Sequence, residues 1–493
     1  MGTAWSWLAG AGLVLYCAAS SAPAATLKAC RLKGVEHEAL CGALQRPLDP
    51  AQPNGAQITL HYAVLPALAR RKAPDPVFFF AGGPGQSAVQ LAGPLSKRFA
   101  RFGNRRDLVF VDQRGTGDSA PLKCPDDGER QPSRPLAELF DETRLERRVA
   151  ACRSALQQLP HGDLTKYTTT IAMADIDAVR QALGAARINA IGGSYGTRAV
   201  LEYMRQFPQQ VRRAVIDGVA PPDMRLPTAF SQDNQAAFDA VFDACAKDAA
   251  CHRRHPDLRA QWQRLLASLP REVSVQHPLT GQPETVRLSR TMLLGAVRGP
   301  LYAPTLAAGL PAAIDAAAGG RFEPLIGLAS SLAAGENMAT GMHFSVVCSE
   351  DLSAAAPAVA VSEGRDFGGA FAAMYGRVCA DWPRGTPPAE FYRIGPAPAP
   401  VLVLSGGADP VTPPRHGARV AQLLGPTARH VVVPEAGHGV LQLACVRDAV
   451  VRFVDAANDD EAMKVDAGCA ATLPRPPAFV PVGASGPAAQ ETR

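Results

Sequence analysis

The 493-residue sequence has few aromatic residues, 6%, and few charged ones, 19%, and its charges of opposite sign nearly cancel. Fifty Lys and Arg stand against 45 Asp and Glu, so the net charge is +5, spread along the chain. Proteins that bind nucleic acids usually concentrate positive charge on one face, and this balance argues against such a partner. The C-x-x-C pairs of common zinc sites are also missing, and we expect no metal.

Long hydrophobic runs are scarce as well. The apolar residues 5–19 are fewer than the roughly 20 that a membrane span needs, and no other segment is long and apolar enough, so we expect no stable membrane insertion once that segment is removed. The small residues 18–24 follow it and end in an A-x-A sequence at 22–24. This arrangement predicts a signal peptide at 1–24 and a secreted or periplasmic protein, with a membrane anchor as the alternative.

Cysteine, in contrast, is well represented. Eleven are present, and removal of Cys17 with the signal peptide leaves ten. An even number permits complete pairing, and disulfides persist in oxidising compartments, which favours the same localisation. The simplest prediction pairs neighbours in the sequence: Cys30 with Cys41, Cys124 with Cys152, Cys245 with Cys251, Cys348 with Cys379, and Cys445 with Cys469.

Short, continuous apolar runs recur along the chain and are often followed by glycine. Runs of this length are typical of strands buried on both faces of a parallel sheet. Apolar residues at helical spacing lie between some of them, at 173–183 and 199–207. Alternation of this kind predicts an α/β fold with a doubly wound, mostly parallel sheet. The predicted strands are 77–80, 108–111, 188–191, 214–216, 401–404 and 430–433.

The pattern changes near residue 221, where strand signals largely disappear until about residue 397. We predict a helical cap inserted at 221–397 that interrupts one sheet. The core then consists of a first part at 25–220 and a second part at 398–472. Residues 473–493, rich in Pro, Ala and Gly, are expected to form a mobile tail.

The strongest chemical signal is the sequence GGSYG at residues 192–196, directly after one predicted strand and directly before a helix. A G-x-S-x-G sequence in this context is typical of a nucleophile elbow. Gly192 and Gly196 are expected because the turn packs strand and helix too closely for side chains. Ser194 is therefore the candidate nucleophile.

A serine hydroxyl needs a base to take its proton and a carboxylate to orient that base. His438 and Asp409 each follow a predicted strand, where open α/β sheets place their sites. The order Ser194, Asp409, His438 is that of the α/β-hydrolases. Asp217, which also ends a predicted strand, is the second candidate for the acid.

An oxyanion hole needs two backbone N–H groups near the attacked carbonyl. The amide of Tyr195 supplies one, and the loop at 81–85, with the sequence AGGPG, supplies the other, for which we choose Gly83 over Gly82. This loop lacks the Lys-Ser/Thr ending of phosphate-binding loops. The chemistry requires no cofactor.

Five sequence motifs are similar to those of one protein family and occur in the same order along the chain. AGGPG at 81–85 is similar to HGGPG, DQRGTGDS at 112–119 to DQRGxGxS, and GGSYG at 192–196 to that family's elbow. GADPVTP at 407–413 and GHG at 437–439 are similar to its acid and base motifs. The sequence thus resembles the secreted members of the prolyl aminopeptidase and tripeptidyl aminopeptidase family of α/β-hydrolases.

The resemblance implies that Ser194, Asp409 and His438 form a triad, that the substrate is an oligopeptide with a free amino terminus, and that 398–472 includes a tripeptidyl-aminopeptidase-like C-terminal region. Recognition of an ammonium group calls for a carboxylate near the serine. Glu350 is our candidate and Asp351 the reserve, the alternative being a solvated acidic pair at the end of a helix or strand.

The predicted function is that of a serine hydrolase that cleaves peptide bonds near free amino termini through an acyl-enzyme. A carboxylic ester hydrolase with the same triad is the first alternative, because only the substrate pocket would differ. A non-catalytic binding protein on a hydrolase fold is the second. The oligomeric state is not predicted.

Overall fold

A computed structural model of the chain describes residues 26–125, 135–139, 142–333, 338–353 and 363–481. The predicted signal peptide at 1–24 lies outside these residues. The strands of the main sheet are β1 (Lys28–Cys30), β2 (Ala39–Pro47), β3 (Gln57–Leu65), β4 (Val77–Phe80), β5 (Leu108–Val111), β6 (Ile188–Gly193), β7 (Val211–Asp217), β10 (Val401–Gly406) and β11 (Ala428–Val433), and a separate hairpin consists of β8 (Arg271–Gln276) and β9 (Pro283–Leu288).

The main sheet is mostly parallel, as predicted. Its strand order is β1-β2-β3-β5-β4-β6-β7-β10-β11, and the six strands from β5 to β11 in this order run parallel. These six include every strand predicted from a continuous apolar run. The remaining strands, β1 to β3, are antiparallel and partly exposed, and they extend the sheet beyond β5.

Helices cover both faces of this sheet, which is why its central strands are continuously apolar. Along β4, Phe78 and Phe80 pack on one side and Val77 and Phe79 on the other. The helices are α1 (Ala92–Arg98), α2 (Ala100–Gly103), α3 (Leu136–Leu139), α4 (Glu142–Leu156), α5 (Thr169–Ala182), α6 (Tyr195–Gln206), α7 (Leu226–Lys247), α8 (Ala249–Arg254), α9 (Leu258–Ala267), α10 (Arg290–Leu301), α11 (Pro304–Ala307), α12 (Leu310–Ala318), α13 (Glu323–Ala333), α14 (Thr340–Glu350), α15 (Ala370–Ala380), α16 (Pro414–Leu424), α17 (Ala444–Asp455) and α18 (Asp459–Met463).

Between β7 and β10 the chain forms α7 to α15, which we call the helical region. Phe238, Trp262, Val297 and Ile314 belong to a separate hydrophobic core within it. The region also contains the antiparallel hairpin of β8 and β9, which the expectation of a helical insertion did not include. In β8, buried and exposed residues alternate over only six positions. This short alternation predicts a strand less strongly than a continuous apolar run does.

The five predicted disulfides are all present: Cys30–Cys41, Cys124–Cys152, Cys245–Cys251, Cys348–Cys379 and Cys445–Cys469. Their Cα–Cα distances, 5.1 to 6.2 Å, are ordinary for a disulfide. Each bridge joins segments close in sequence, so none connects the helical region to the sheet strands.

Part of the segment predicted to be a mobile tail is described. Within residues 473–481, the Phe479 amide donates to the Ala308 carbonyl at 2.8 Å, and Ala478 packs against the core of the helical region. Residues 482–493 lie outside the described residues, and the predicted domain limits stay predictions. Within the described ranges, no helix has the length and apolar character needed to cross a membrane.

Candidate active site

Ser194 occupies a sharp turn between β6 and α6. Its φ is 55° and its ψ is −125°, a conformation that side-chain-bearing residues rarely adopt and that is typical of functional sites. A Cβ atom on Gly192 would lie 2.3 Å from the Gly196 carbonyl oxygen, and one on Gly196 would lie 2.1 Å from that of Phe80. Both glycines are therefore required by the turn, as the sequence predicted.

Asp409 and His438 come together beyond the ends of β10 and β11. His438 Nδ1 lies 2.8 Å from Asp409 Oδ2, and the amides of Val411 and Thr412 donate to Asp409 Oδ1 at 2.9 and 2.8 Å. Burial by itself would raise the pKa of Asp409, but the bonds from His438 and Thr412 outweigh it and hold that pKa below its ordinary value. The carboxylate is therefore ionised and orients the imidazole.

Two residues near His438 were not foreseen. Thr412 Oγ1 lies 2.7 Å from Asp409 Oδ2 and 3.0 Å from His438 Nδ1, so its hydroxyl joins the acid–base contact. Tyr302, which directly follows α10, accepts a hydrogen bond from the His438 amide on its carbonyl at 2.9 Å, and its ring meets the imidazole edge-on. Thr412 belongs to the motif at 407–413 and was discoverable from it, whereas no sequence signal pointed to Tyr302.

The loop after β4 passes directly beside the nucleophile. A Cβ atom on Gly82 would lie 3.3 Å from Ser194 Cβ, and Gly83 has a φ of +106°, which favours glycine. Tyr195 directly follows Ser194 and begins α6, where helix amides are unpaired. The predicted oxyanion donors, Gly83 and Tyr195, therefore lie in two segments that meet at Ser194.

Helix α14 supports this loop through His343. Its Nδ1 lies 3.3 Å from the Pro84 carbonyl oxygen, and its Nε2 lies 2.8 Å from the Tyr375 hydroxyl. Burial lowers the pKa of His343 to about 4, so the ring is neutral at physiological pH. A neutral ring that donates to Pro84 must accept at Nε2, and we therefore assign the Tyr375 hydroxyl as the donor.

Glu350 and Asp351 do not line the cavity that contains Ser194. Both are fully buried and bind Arg198. Asp351 accepts two hydrogen bonds from the guanidinium, each 3.0 Å long, in a bidentate ion pair. Glu350 also accepts a hydrogen bond from the Thr169 amide at 2.7 Å. Burial raises the pKa of Glu350 to about 7 despite the nearby Arg198. This geometry does not support the predicted role of the pair in binding a substrate ammonium group.

Asp217, the second candidate for the acid, serves a different purpose. Its two oxygens accept from the amides of Val440 and Leu441 at 3.1 and 2.9 Å, so it anchors the segment that follows His438. Burial raises its pKa to about 6, although the two amide bonds oppose this shift. Of the two acids, Asp409 is the one bonded to His438.

A cavity of about 780 Å³ contains these groups, a size that suits a small ligand or part of a peptide. Ser194, Gly83 and His438 lie in its wall together with Asp217, which is buried, and two arginines, Arg98 and Arg298. Much of the remaining wall is aromatic: Phe79, Phe80, Phe99, Phe230, Tyr302, Phe344, Phe371 and Tyr375.

A parallel sheet with a strained serine turn, a glycine-rich loop beside it, and an acid and a histidine beyond later strands defines the class of the α/β hydrolases. Residues 75–442 match the model of the α/β hydrolase fold family, and the chain belongs to that family.

Curated relatives extend over most of the chain. It is 28% identical over 478 residues to the tripeptidyl aminopeptidase of Streptomyces lividans, covering 88% of this chain and 84% of that protein. It is 27% identical over 430 residues to the serine protease Hip1 of Mycobacterium tuberculosis, covering 78% and 79%. A carboxylesterase B of the same species is 29% identical over 227 residues, 43% of each chain.

Proposed function

We propose that this protein is a serine peptidase that cleaves oligopeptides near a free amino terminus through an acyl-enzyme. The observation that carries the proposal is the contact between Asp409 and His438 beside the cavity that contains the strained Ser194. The similarity to a tripeptidyl aminopeptidase and a serine protease over most of the chain supports a peptide substrate.

In this mechanism the Ser194 hydroxyl oxygen attacks the scissile carbonyl while His438 Nε2 takes the hydroxyl proton. Asp409 accepts from His438 Nδ1 and stabilises the imidazolium. The amides of Gly83 and Tyr195 stabilise the oxyanion. His438 then protonates the leaving amine, the acyl-enzyme forms, and a water activated by His438 hydrolyses it.

Specificity for a free amino terminus is supported by the name of the Streptomyces relative rather than by Glu350 and Asp351, which bind Arg198. The decisive substrate comparison is therefore a tripeptidyl anilide with a free amino terminus against its N-acetylated form. We expect cleavage of the free form to be much faster. Equal rates on the two substrates would contradict the aminopeptidase specificity while leaving the serine chemistry intact.

The serine chemistry is tested by Ser194→Ala, for which we expect kcat to fall by about 10⁴- to 10⁶-fold with an unchanged melting temperature. A fluorophosphonate probe should label the native protein and not this variant. Ser405→Ala is a matched control, because Ser405 Oγ also lies 3.0 Å from a histidine nitrogen, that of His430, but outside the cavity. Full activity in the Ser194 variant would refute the proposal.

Ester hydrolysis is the second candidate, and the similarity to a carboxylesterase, limited to 43% of the chain, is the observation in its favour. Both activities would use the same Ser194 and His438. Simple acyl esters belong in the same assay panel as the anilides, and a kcat/KM that favours esters while peptides remain uncleaved would select the esterase.

We also propose that the protein is exported, a localisation that the five disulfides support. Titration of the purified native protein with a thiol reagent should find no reactive thiols among the ten paired cysteines. Ten free thiols in freshly purified, unreduced protein would contradict export to an oxidising compartment.

A further inference from the structure

Arg298 presents a cation in the wall of the cavity that contains Ser194. It lies on α10, and its guanidinium carbon is 4.7 Å from the centre of the Phe371 ring and 4.9 Å from that of Phe230. Its Nη2 donates to the Tyr302 hydroxyl at 3.3 Å, and Tyr302 in turn contacts His438. The rings therefore fix the orientation of the guanidinium close to the candidate base.

Arg298, which is half-buried, differs from three buried arginines elsewhere in the protein. Arg114, Arg180 and Arg198 each form an ion pair with an aspartate at 3.0 Å or less. In the part of the chain that the structure describes, no carboxylate lies within 4.0 Å of Arg298. Its Nε is buried without a hydrogen-bond partner, a feature that it shares with Arg198 and Arg213. Aromatic rings offset only part of the cost of partly removing a guanidinium from water, so this half-buried cation is suited to an anionic partner.

Other charged groups in the wall do not neutralise Arg298. Asp217 uses both oxygens to accept backbone amides, and His343 is uncharged. Arg98 is a second cation in the same wall. The described wall of the cavity therefore carries two arginines and a single carboxyl group, and that group acts on the solvent-exposed Arg98. Among the described residues of this wall, Arg298 is left without a carboxylate, which favours a negatively charged ligand over a neutral one.

We propose that Arg298 binds a carboxylate of the substrate and makes the enzyme selective for acidic peptides. The ligand is a carboxylate because a planar guanidinium matches it with two parallel hydrogen bonds, and the adjacent rings of Phe230 and Phe371 hold this guanidinium in place. This group is either the carboxyl terminus of a short peptide or an Asp or Glu side chain. The inference rests on the proposed peptidase function and adds a substrate class to it.

The test uses short peptides with a free amino terminus in two matched pairs. One pair differs only in a carboxyl terminus that is free or amidated, and the other carries Glu or Gln at one position with the terminus amidated. We expect the native protein to prefer the acidic member of at least one pair by about 10- to 100-fold in kcat/KM. The pair that shows the preference identifies the source of the carboxylate.

Arg298→Gln should reduce that preference to about threefold or less, and Arg298→Lys should retain part of it, because Lys keeps the charge but not the planar geometry. Arg365→Gln is the matched control: it makes the same change of charge at an exposed arginine bonded to Asp239, outside the cavity, and should keep the preference. Equal kcat/KM within both pairs, or a preference that survives Arg298→Gln, would overturn the proposal.

Binding measurements separate this inference from the proposed function. Calorimetry on Ser194→Ala should give a lower Kd for the acidic peptides, and the doubly substituted Ser194→Ala, Arg298→Gln protein should lose this difference. Loss of the difference would support the role of Arg298 even if the Ser194 variant still cleaved peptides, a result that would refute only the serine mechanism. Near-UV circular dichroism of each variant verifies that the aromatic wall is folded.

Discussion

Asp409→Asn should nearly abolish activity while it leaves the fold intact, because an amide cannot replace both carboxylate oxygens. Oδ1 accepts from the amides of Val411 and Thr412, and the side-chain oxygen of Asn can keep those two bonds. The NH2 group then occupies the place of Oδ2, where it donates to His438 Nδ1. The histidine proton is thereby forced onto Nε2, the nitrogen that accepts the proton of Ser194 in the proposed mechanism.

The expected magnitude follows from this change of tautomer. The wrong tautomer in a Ser-His-Asp arrangement lowers kcat by about 10⁴-fold, and at 1.36 kcal/mol for each factor of ten this is about 5.5 kcal/mol of lost transition-state stabilisation. In the native protein the Thr412 hydroxyl donates to Asp409 Oδ2. In the variant this hydroxyl can rotate and accept a hydrogen bond from the new NH2 group. We therefore expect a stability loss of only about 1–2 kcal/mol.

Steady-state hydrolysis of a tripeptidyl anilide and urea unfolding together measure the two effects. Asp217→Asn is the comparison variant, because Asp217 binds the amides of Val440 and Leu441 rather than the imidazole. One of those amides loses its acceptor, and we expect only about a 10-fold loss of kcat. If Asp409→Asn kept a tenth or more of native activity, or Asp217→Asn were the more damaging change, the assignment of the acid would be wrong.

Three further predictions concern the surroundings of the site. Since the pKa of Glu350 is raised by burial from 4.5 to about 7, the folded protein binds more protons than the unfolded one between these values, and its stability falls as the pH rises through them. Glu350→Gln imitates the protonated form. Its free energy of unfolding, measured with urea, should therefore rise by up to about 3 kcal/mol relative to that of the native protein between pH 4.5 and 8. A difference between the two proteins that stays constant over this range would contradict the shifted pKa. Tyr375→Phe removes the donor to His343 and should lower kcat about 3- to 10-fold in steady-state assays, and an unchanged kcat would show that the loop after β4 does not depend on this bond. Replacing both Cys348 and Cys379 by Ser opens a bridge between residues 31 apart and should cost about 3–4 kcal/mol, visible in calorimetry as a lower melting temperature, whereas an unchanged one would indicate that the bridge contributes nothing.

The parallel part of the fold was predictable because the residues within each strand are enough to identify that strand. A strand such as β4, buried on both faces, must be apolar at every position, and its sequence is VFFF. The serine turn was equally visible, because close contacts at Gly192 and Gly196 exclude any side chain. Cysteine pairing succeeded for the same reason, since each bridge joins neighbours in the sequence.

Features that depend on distant partners were not predictable. Glu350 and Asp351 were expected at the substrate, but Arg198, more than 150 residues earlier, binds both of them inside the protein. The residues next to an acidic pair in the sequence do not indicate whether a distant arginine forms an ion pair with it. Tyr302 was missed for a similar reason, because its carbonyl, which every residue has, makes the contact with His438. The hairpin of β8 and β9 was missed because its alternation is short.

Because the carbonyl of Tyr302 binds the His438 amide, the position of this candidate base depends on both the main sheet and the helical region. Asp409 holds the imidazole from the sheet side, and Tyr302 holds the same residue's amide from the helical region. A substitution that shifts the end of α10 would therefore misalign the proton acceptor without altering any residue of the proposed triad. Inactive variants that map far from Ser194 in this region are best interpreted first as errors of alignment at the histidine, rather than as lost contacts with a substrate.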